Sequence, residues 1–138
     1  MIVTADTSVV IPALAEWHEF HKVARSACRG VEAVPAHVLL ESVSVLTRLP
    51  GGVALTTPVA VSAVRGKFPA APLTLTAAEY DALAVVLADR GLRGGQVYDA
   101  LVAATAASRG AKLLTLDRRA ASTYRAVGVD VELLASAG

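Results

Sequence analysis

Hydrophobic residues along the chain fall into short continuous runs that are separated by longer stretches with helical spacing. The two clearest runs are Met1–Ala5 and Lys112–Leu116, and an aspartate directly follows each of them. Short apolar runs bounded by polar residues are typical of buried strands in a parallel sheet. Further runs at Val31–Val34, Leu73–Leu75 and Val129–Leu134 predict three more strands.

Helix start and stop residues lie between these predicted strands. Thr76–Glu79 matches a capping box, Pro58 suits the first position of a helix, and Gly30 and Gly128 suit helix ends. The pattern predicts a short helix after Asp6 that is limited near Pro12, and later helices over residues 17–29, 36–49, 57–68, 76–90, from the Gly-Gly break to 108, and 118–127.

The alternation of strands and helices predicts an α/β domain, with a mainly parallel sheet between two layers of helices. The 138 residues suffice for one domain with one core, and no repeat or linker divides them, so a single domain over 1–138 is expected. The one cysteine excludes an intrachain disulfide, and no apolar run is long enough to span a membrane. A cytoplasmic protein is expected.

Asp99 is the most unusual residue of the sequence, because it lies in an alanine-rich helical stretch just after Gly94 and Gly95. Burying an isolated carboxylate costs several kcal/mol, so its charge must be paired, hydrated or bound to a cation. The net charge of +1 offers no general attraction for a polyanion. A nucleic acid would therefore need a local basic patch or metal ions.

Three other carboxylates are expected to approach Asp99. Asp6 and Asp117 follow predicted strands, and Glu41 and Asp99 lie near the starts of helices that follow loops. Ligands of open parallel sheets bind beyond the carboxyl ends of the strands, where these side chains would converge. Such a cluster must protonate or bind cations, and oxygen ligands without Cys or His favour Mg²⁺ or Mn²⁺.

Each of these acids also has a structural interpretation. Asp6 is as compatible with a helix N-cap as with a ligand, and Asp117 by itself favours a cap. Glu41 could face solvent or pair with Arg48 at the other end of its helix. The convergence of all four is therefore the hypothesis to test.

Four acidic motifs, in this order, make the chain resemble the PIN-domain ribonucleases, and most of all the VapC toxins of bacterial toxin–antitoxin pairs. The motifs are Asp6–Val10, Leu39–Glu41 followed by Leu46–Leu49, Tyr98–Ala103, and Leu113–Asp117. The resemblance covers essentially the whole chain. It implies a three-layer α/β/α domain whose sheet has five strands.

The resemblance also implies roles for individual residues. The catalytic acids would be Asp6, Glu41, Asp99 and Asp117, and three of them, Asp6, Asp99 and Asp117, would ligate Mg²⁺, with Mn²⁺ as an alternative. Small hydroxyl side chains at Ser8 and Thr115 would support this site by hydrogen bonding. Pro12 departs from the family pattern, because the helix after the first aspartate usually lacks a proline.

The implied activity is endoribonucleolytic hydrolysis, in which water activated by the metal attacks a phosphodiester of transfer, ribosomal or messenger RNA. Arg93, Arg118 and Arg119 near the expected mouth of the site are candidate contacts to the RNA backbone. The family implies a homodimer and a cognate antitoxin of the VapB type. The remaining candidates for catalysis, three histidines, are interpreted as surface or packing residues: His18, His21 and His37.

A function of a different class remains open, namely a non-catalytic PIN-like module that binds protein or RNA. The presence of all four acids favours the nuclease, but acidic residues alone do not establish activity.

Overall fold

A computed structural model describes residues 1–134 of the protein, so the last four residues of the predicted domain 1–138 lie outside the described part. Three strands form the sheet: β1 (Val3–Ala5), β2 (Lys112–Thr115) and β3 (Val131–Leu133). The helices are α1 (Thr7–Leu14), α2 (His21–Ala27), α3 (Ala36–Leu46), α4 (Thr57–Lys67), α5 (Ala77–Arg90), α6 (Gly95–Ser108) and α7 (Arg118–Val127).

The sheet has the order β1-β2-β3, and both strand pairs are parallel. Thr4 lies opposite Leu113, and Thr115 lies opposite Leu133. The carboxyl ends of all three strands therefore meet at one edge of the sheet. The predicted α/β class with a parallel sheet is confirmed.

The sheet has three strands where the resemblance implied five. The two missing strands correspond to segments that meet at a single parallel bridge between Pro35 and Leu73. The hydroxyl of Thr4 donates to the carbonyl of Ala33 at 2.8 Å, which ties the first of these segments to β1. Pro35 and Pro72 have no backbone N–H, so neither segment supports a regular ladder.

Both faces of β2 are covered, because Leu113, Leu114 and Thr115 are all buried although successive side chains point to opposite faces. One group of helices packs α1 against α2 and α3, and α3 against α4. A second group packs α6 against α5 and α7. The largest fully buried side chains of the core are Phe68, Leu113, Val9, Val10, Val38 and Val64.

Several helix boundaries follow the predicted residues. The capping box of α5 is complete, since Thr76 accepts the backbone N–H of Glu79 and the Glu79 carboxylate accepts that of Thr76. Gly128 ends α7 in the left-handed region, with φ at 97°. Pro12 does not stop α1, which continues to Leu14.

The helix predicted over 17–29 is wrong in its first part, since α2 begins only at His21. The ring nitrogen Nδ1 of His18 accepts the backbone N–H of Phe20, and Nδ1 of His21 lies 2.8 Å from the carbonyl of Pro12. The bond between His18 and Phe20 is local and favours a turn over a further helical turn, whereas the contact of His21 reaches back to α1. Trp17, expected on an apolar helix face, is 59% exposed.

Within residues 1–134, no helix has both the length and the apolar character that crossing a bilayer demands.

Candidate functional site

A pocket opens at the edge of the sheet where the carboxyl ends of the strands meet. Its volume is about 170 Å³. The residues that line it come from every region that the acidic motifs occupy: Asp6, Thr7, Ser8, His37, Glu41, Tyr98, Asp99, Val102, Asp117, Ala120 and Tyr124. The fold therefore brings all four predicted acids to one pocket.

Asp6 forms the floor of this pocket and is only 4% exposed. It follows β1, and its backbone N–H donates to the carbonyl of Leu114, which extends the pairing of the strands by one residue. Asp6 occupies the N-cap position of α1, but its side chain caps no backbone N–H there. The side chain is thus free for a different role.

Three hydroxyl groups hold the Asp6 carboxylate. Ser8 donates to Oδ1 at 2.5 Å, and Thr115 and Tyr124 donate to Oδ2 at 2.6 and 2.7 Å. The Ser8 oxygen also accepts the N–H of Leu116, and the Thr115 oxygen accepts that of Asp117. Each hydroxyl has one proton and gives it to Asp6, so the orientation of the carboxylate is fully determined.

Burial raises the pKa of Asp6 above its usual range, and the charge of Asp117 acts in the same direction, whereas the three hydroxyl donors lower it. Burial also raises the pKa of the Tyr124 phenol, and the negative charge of Asp6 beside it adds to this increase. Tyr124 is therefore a proton donor to Asp6 throughout the neutral range.

Asp99 lies in the first half of α6 and is half-buried. Its pKa is raised to about 6, first by burial and then by the negative charges of Asp117, Asp6 and Glu41. His37 has a smaller opposing effect on the same pKa. The charge of every other carboxylate of the pocket therefore raises the pKa of Asp99.

Glu41 reaches the pocket from α3. It accepts a hydrogen bond from the hydroxyl of Thr7, and its Oε2 lies 3.6 Å from Nε2 of His37. The alternative pairing of Glu41 with Arg48 is absent from the ion pairs within residues 1–134. The side chain of Glu41 is 43% exposed, which makes it the more exposed of the two α3 side chains that line the pocket.

Asp117 has the structural role that its sequence position favours. Its Oδ1 accepts the backbone N–H groups of Arg119 and Ala120 and so caps α7. The same side chain lines the acidic pocket and is exposed there. Capping and membership of the acidic cluster are therefore compatible in this residue.

Two of the three arginines that are candidate RNA contacts line a cavity beside the acidic pocket. Arg93 and Arg119 line a neighbouring cavity of about 370 Å³ that shares Asp99 and Asp117 with the acidic pocket. Arg118 is exposed but lines neither cavity. Two arginines thus lie beside the carboxylates.

Four polar side chains of the pocket received no site role from the sequence: Thr7, His37, Tyr98 and Tyr124. His37, interpreted as a surface or packing residue, packs its ring against Tyr98 and also lines the pocket beside Glu41. Its i,i+4 spacing to Glu41 was a usable signal, since such residues share a helix face. Tyr124 offered no comparable signal, because its contact with Asp6 depends on how α7 packs against the sheet.

The donor chemistry of the pocket fits a hard divalent cation. Carboxylate oxygens predominate, and no lysine or arginine in the described chain lines this pocket. Within residues 1–134, no three His, Cys, Asp or Glu side chains form a ready-made ligand set. Mg²⁺ commonly binds through one or two carboxylates and several waters, which suits carboxylates that surround a pocket.

The family model of the PIN domain matches residues 3–126. This match includes β1, β2 and all four acids of the pocket. The chain therefore belongs to the PIN-domain family.

Two relatives from Mycobacterium tuberculosis are similar over nearly the whole chain. Ribonuclease VapC40, from strain CDC 1551 / Oshkosh, is 44% identical over 135 residues, which cover 96% of this chain and 99% of the relative. Ribonuclease VapC27, from strain H37Rv, is 45% identical over 132 residues, which cover 94% and 95%. Within the family, the chain is of the VapC type.

Proposed function

We propose that this protein is a metal-dependent endoribonuclease that acts as the toxin of a toxin–antitoxin pair. The observation that carries the proposal is that all four predicted acids line one pocket, which no lysine or arginine within residues 1–134 lines with them. The names of the two relatives, both ribonucleases, support the same reaction class.

Asp6, Asp99 and Asp117 would hold Mg²⁺ or Mn²⁺, and Glu41 would complete the acidic set. The bound cation would lower the pKa of a water molecule and offset charge on the phosphodiester. Next to burial, the negative charges of the other three acids raise the pKa of Asp99, and a divalent cation would relieve this repulsion.

The protein's own residues would orient this chemistry. Ser8, Thr115 and Tyr124 direct both oxygens of Asp6, which would limit its rotation during binding. Thr7 has the corresponding role for Glu41. Asp117 is anchored by two backbone N–H groups of α7, so its second oxygen is the one available for the pocket.

Positive charge beside the pocket would hold the RNA. Arg93 and Arg119 line the cavity that shares Asp99 and Asp117 with the site, and the exposed Arg118 adjoins them in the chain. Arginine makes bidentate contacts to phosphate, so these residues would hold the backbone next to the carboxylates. The overall charge of +1 makes such local contacts necessary.

We also propose a VapB-like antitoxin as the partner that occludes the site, together with a homodimeric state. The VapC type of the chain supports the first assignment. Exposed apolar residues on two helices, Val59 and Val61 on α4 and Tyr80 and Val85 on α5, offer area for protein contacts. The expected site of action is the cytoplasm, where cellular RNA is accessible.

The deciding experiment compares the wild type with Asp99→Asn and with Asp89→Asn, which removes an exposed carboxylate from α5. Total RNA is incubated with each protein in Mn²⁺, in Mg²⁺ or in chelator, and the cleaved ends are mapped. The wild type and Asp89→Asn should cleave at defined positions only with metal. Asp99→Asn should be folded and inactive.

Full cleavage by folded Asp99→Asn would contradict the assigned site. RNA binding without cleavage under every metal condition, and without a thermal shift in Mn²⁺, would instead identify a non-catalytic binding module.

A further inference from the structure

His37 and Tyr98 form a stacked ring pair in the wall of the acidic pocket. Their ring centroids lie 5.1 Å apart, and their planes differ by only 4°. His37 belongs to the first turn of α3 and Tyr98 to the first turn of α6, so the pair connects the helices that carry Glu41 and Asp99. The mechanism proposed above uses neither ring.

Tyr98 is 55% exposed, whereas Phe68 and Tyr124 are 1% and 2% exposed. His37 covers one side of the Tyr98 ring, and no second ring stacks on Tyr98 among residues 1–134. The contact with His37 also restricts rotation of the tyrosine. Tyr98 therefore presents an exposed aromatic ring that its contact with His37 holds in place before a ligand arrives.

We propose that Tyr98, supported by His37, stacks an unpaired nucleobase of the RNA next to the cleavage site. This inference rests on the proposed nuclease function. A planar base gains from stacking on the exposed ring and carries no charge that the neighbouring acids would repel. The base must be unpaired, because bases inside an A-form helix are stacked on their neighbours and do not offer a free face.

The ring pair could instead serve only to position Glu41. Nε2 of His37 is buried without a hydrogen bond and lies 3.6 Å from Oε2 of Glu41. A purely structural role would affect every RNA equally, whether or not a base is present at one particular position. A stacking role predicts that the loss on mutation depends on that base.

The test uses an oligoribonucleotide that spans a mapped cleavage position, with 2-aminopurine placed at each position in turn. Stopped-flow fluorescence with excess protein records binding before cleavage. The wild type should quench 2-aminopurine strongly at one position, because stacking on an aromatic ring quenches its emission. Tyr98→Leu should abolish this quench and weaken binding about tenfold, whereas Tyr98→Phe should retain both.

Trp17→Leu is the matched control, since Trp17 is another exposed aromatic residue beside a histidine, lies in the turn before α2 and lines no part of the pocket. It should behave as the wild type. An RNA with an abasic residue at the quenched position should bind the wild type about tenfold more weakly than the intact RNA does. Tyr98→Leu should bind the abasic RNA and the intact RNA equally well.

The abasic comparison with the wild type also decides the matter if Tyr98→Leu fails to fold. A wild type that cleaves RNA, but whose binding is indifferent to the abasic residue and shows no position-specific quench, overturns the stacking proposal alone. A wild type that neither binds nor cleaves RNA overturns both proposals.

Discussion

The hydroxyl of Tyr124 donates a 2.7 Å hydrogen bond to Oδ2 of Asp6, although the two residues are 118 positions apart in the chain. The bond joins the end of α7 to the residue that follows β1. Both side chains are buried, and the tyrosine remains protonated beside the carboxylate because its pKa is raised. The relationship makes Tyr124 a positioning residue for the acid at the floor of the pocket.

We expect Tyr124→Phe to lower the free energy of unfolding by about 1–3 kcal/mol, because a buried carboxylate loses one of its three hydroxyl donors. Urea denaturation in chelator measures this change. Loss of the donor also leaves the Asp6 carboxylate less firmly oriented, so Mn²⁺ affinity measured by calorimetry at pH 7 should fall.

Asp99 should make the stability of the metal-free protein dependent on pH. Its pKa rises from 3.8 to about 6 on folding, so the folded state binds its proton more tightly than the unfolded chain does. Its stabilising contribution is therefore complete below pH 4 and is lost as the pH rises through about 6. Thermal melts of the wild type in chelator should show this decline.

In the same melts, the melting temperature of Asp99→Asn should rise relative to that of the wild type between pH 4 and pH 8, because the amide carries no charge to repel the other acids. Asp89→Asn, on the exposed side of α5, should follow the wild type at every pH. A difference between Asp99→Asn and the wild type that stays constant from pH 4 to pH 8 would contradict the repulsion argument.

Metal should reverse this dependence. At a concentration one hundred times its dissociation constant, Mn²⁺ should stabilise the wild type by about 2.7 kcal/mol. The stabilisation should shrink below pH 6, since protonated Asp99 is a poor ligand. Thermal shift across pH 5–8 measures both effects. The same shift in Asp99→Asn would exclude Asp99 from the metal site.

Two variants separate the roles of Asp117. Asp117→Ser retains a hydroxyl that caps α7 but removes the charge, whereas Asp117→Ala removes both. We expect Asp117→Ala to be about 1 kcal/mol less stable than Asp117→Ser in urea denaturation. Both should lose cleavage of RNA. Activity in the serine variant would show that the residue acts only as a cap.

The local features of the fold were predictable because they depend on neighbouring residues. Thr76 and Glu79 bond to each other across one helical turn, and Gly128 adopts a backbone conformation that other residues disfavour. The stretch at 16–20 was not predictable in this way. There the ring of His18 accepts the backbone N–H of Phe20, and His21, where α2 begins, contacts the carbonyl of Pro12 in α1.

The acidic residues could be located from the sequence alone, because Asp6 and Asp117 follow apolar strands and parallel strands end at the same edge. The tertiary structure decided what surrounds them: that Tyr124 binds Asp6, and that His37 stacks on Tyr98 beside Glu41. These contacts depend on the packing of α3, α6 and α7 around the sheet. Packing angles arise from the whole core, and no local sequence pattern encodes them.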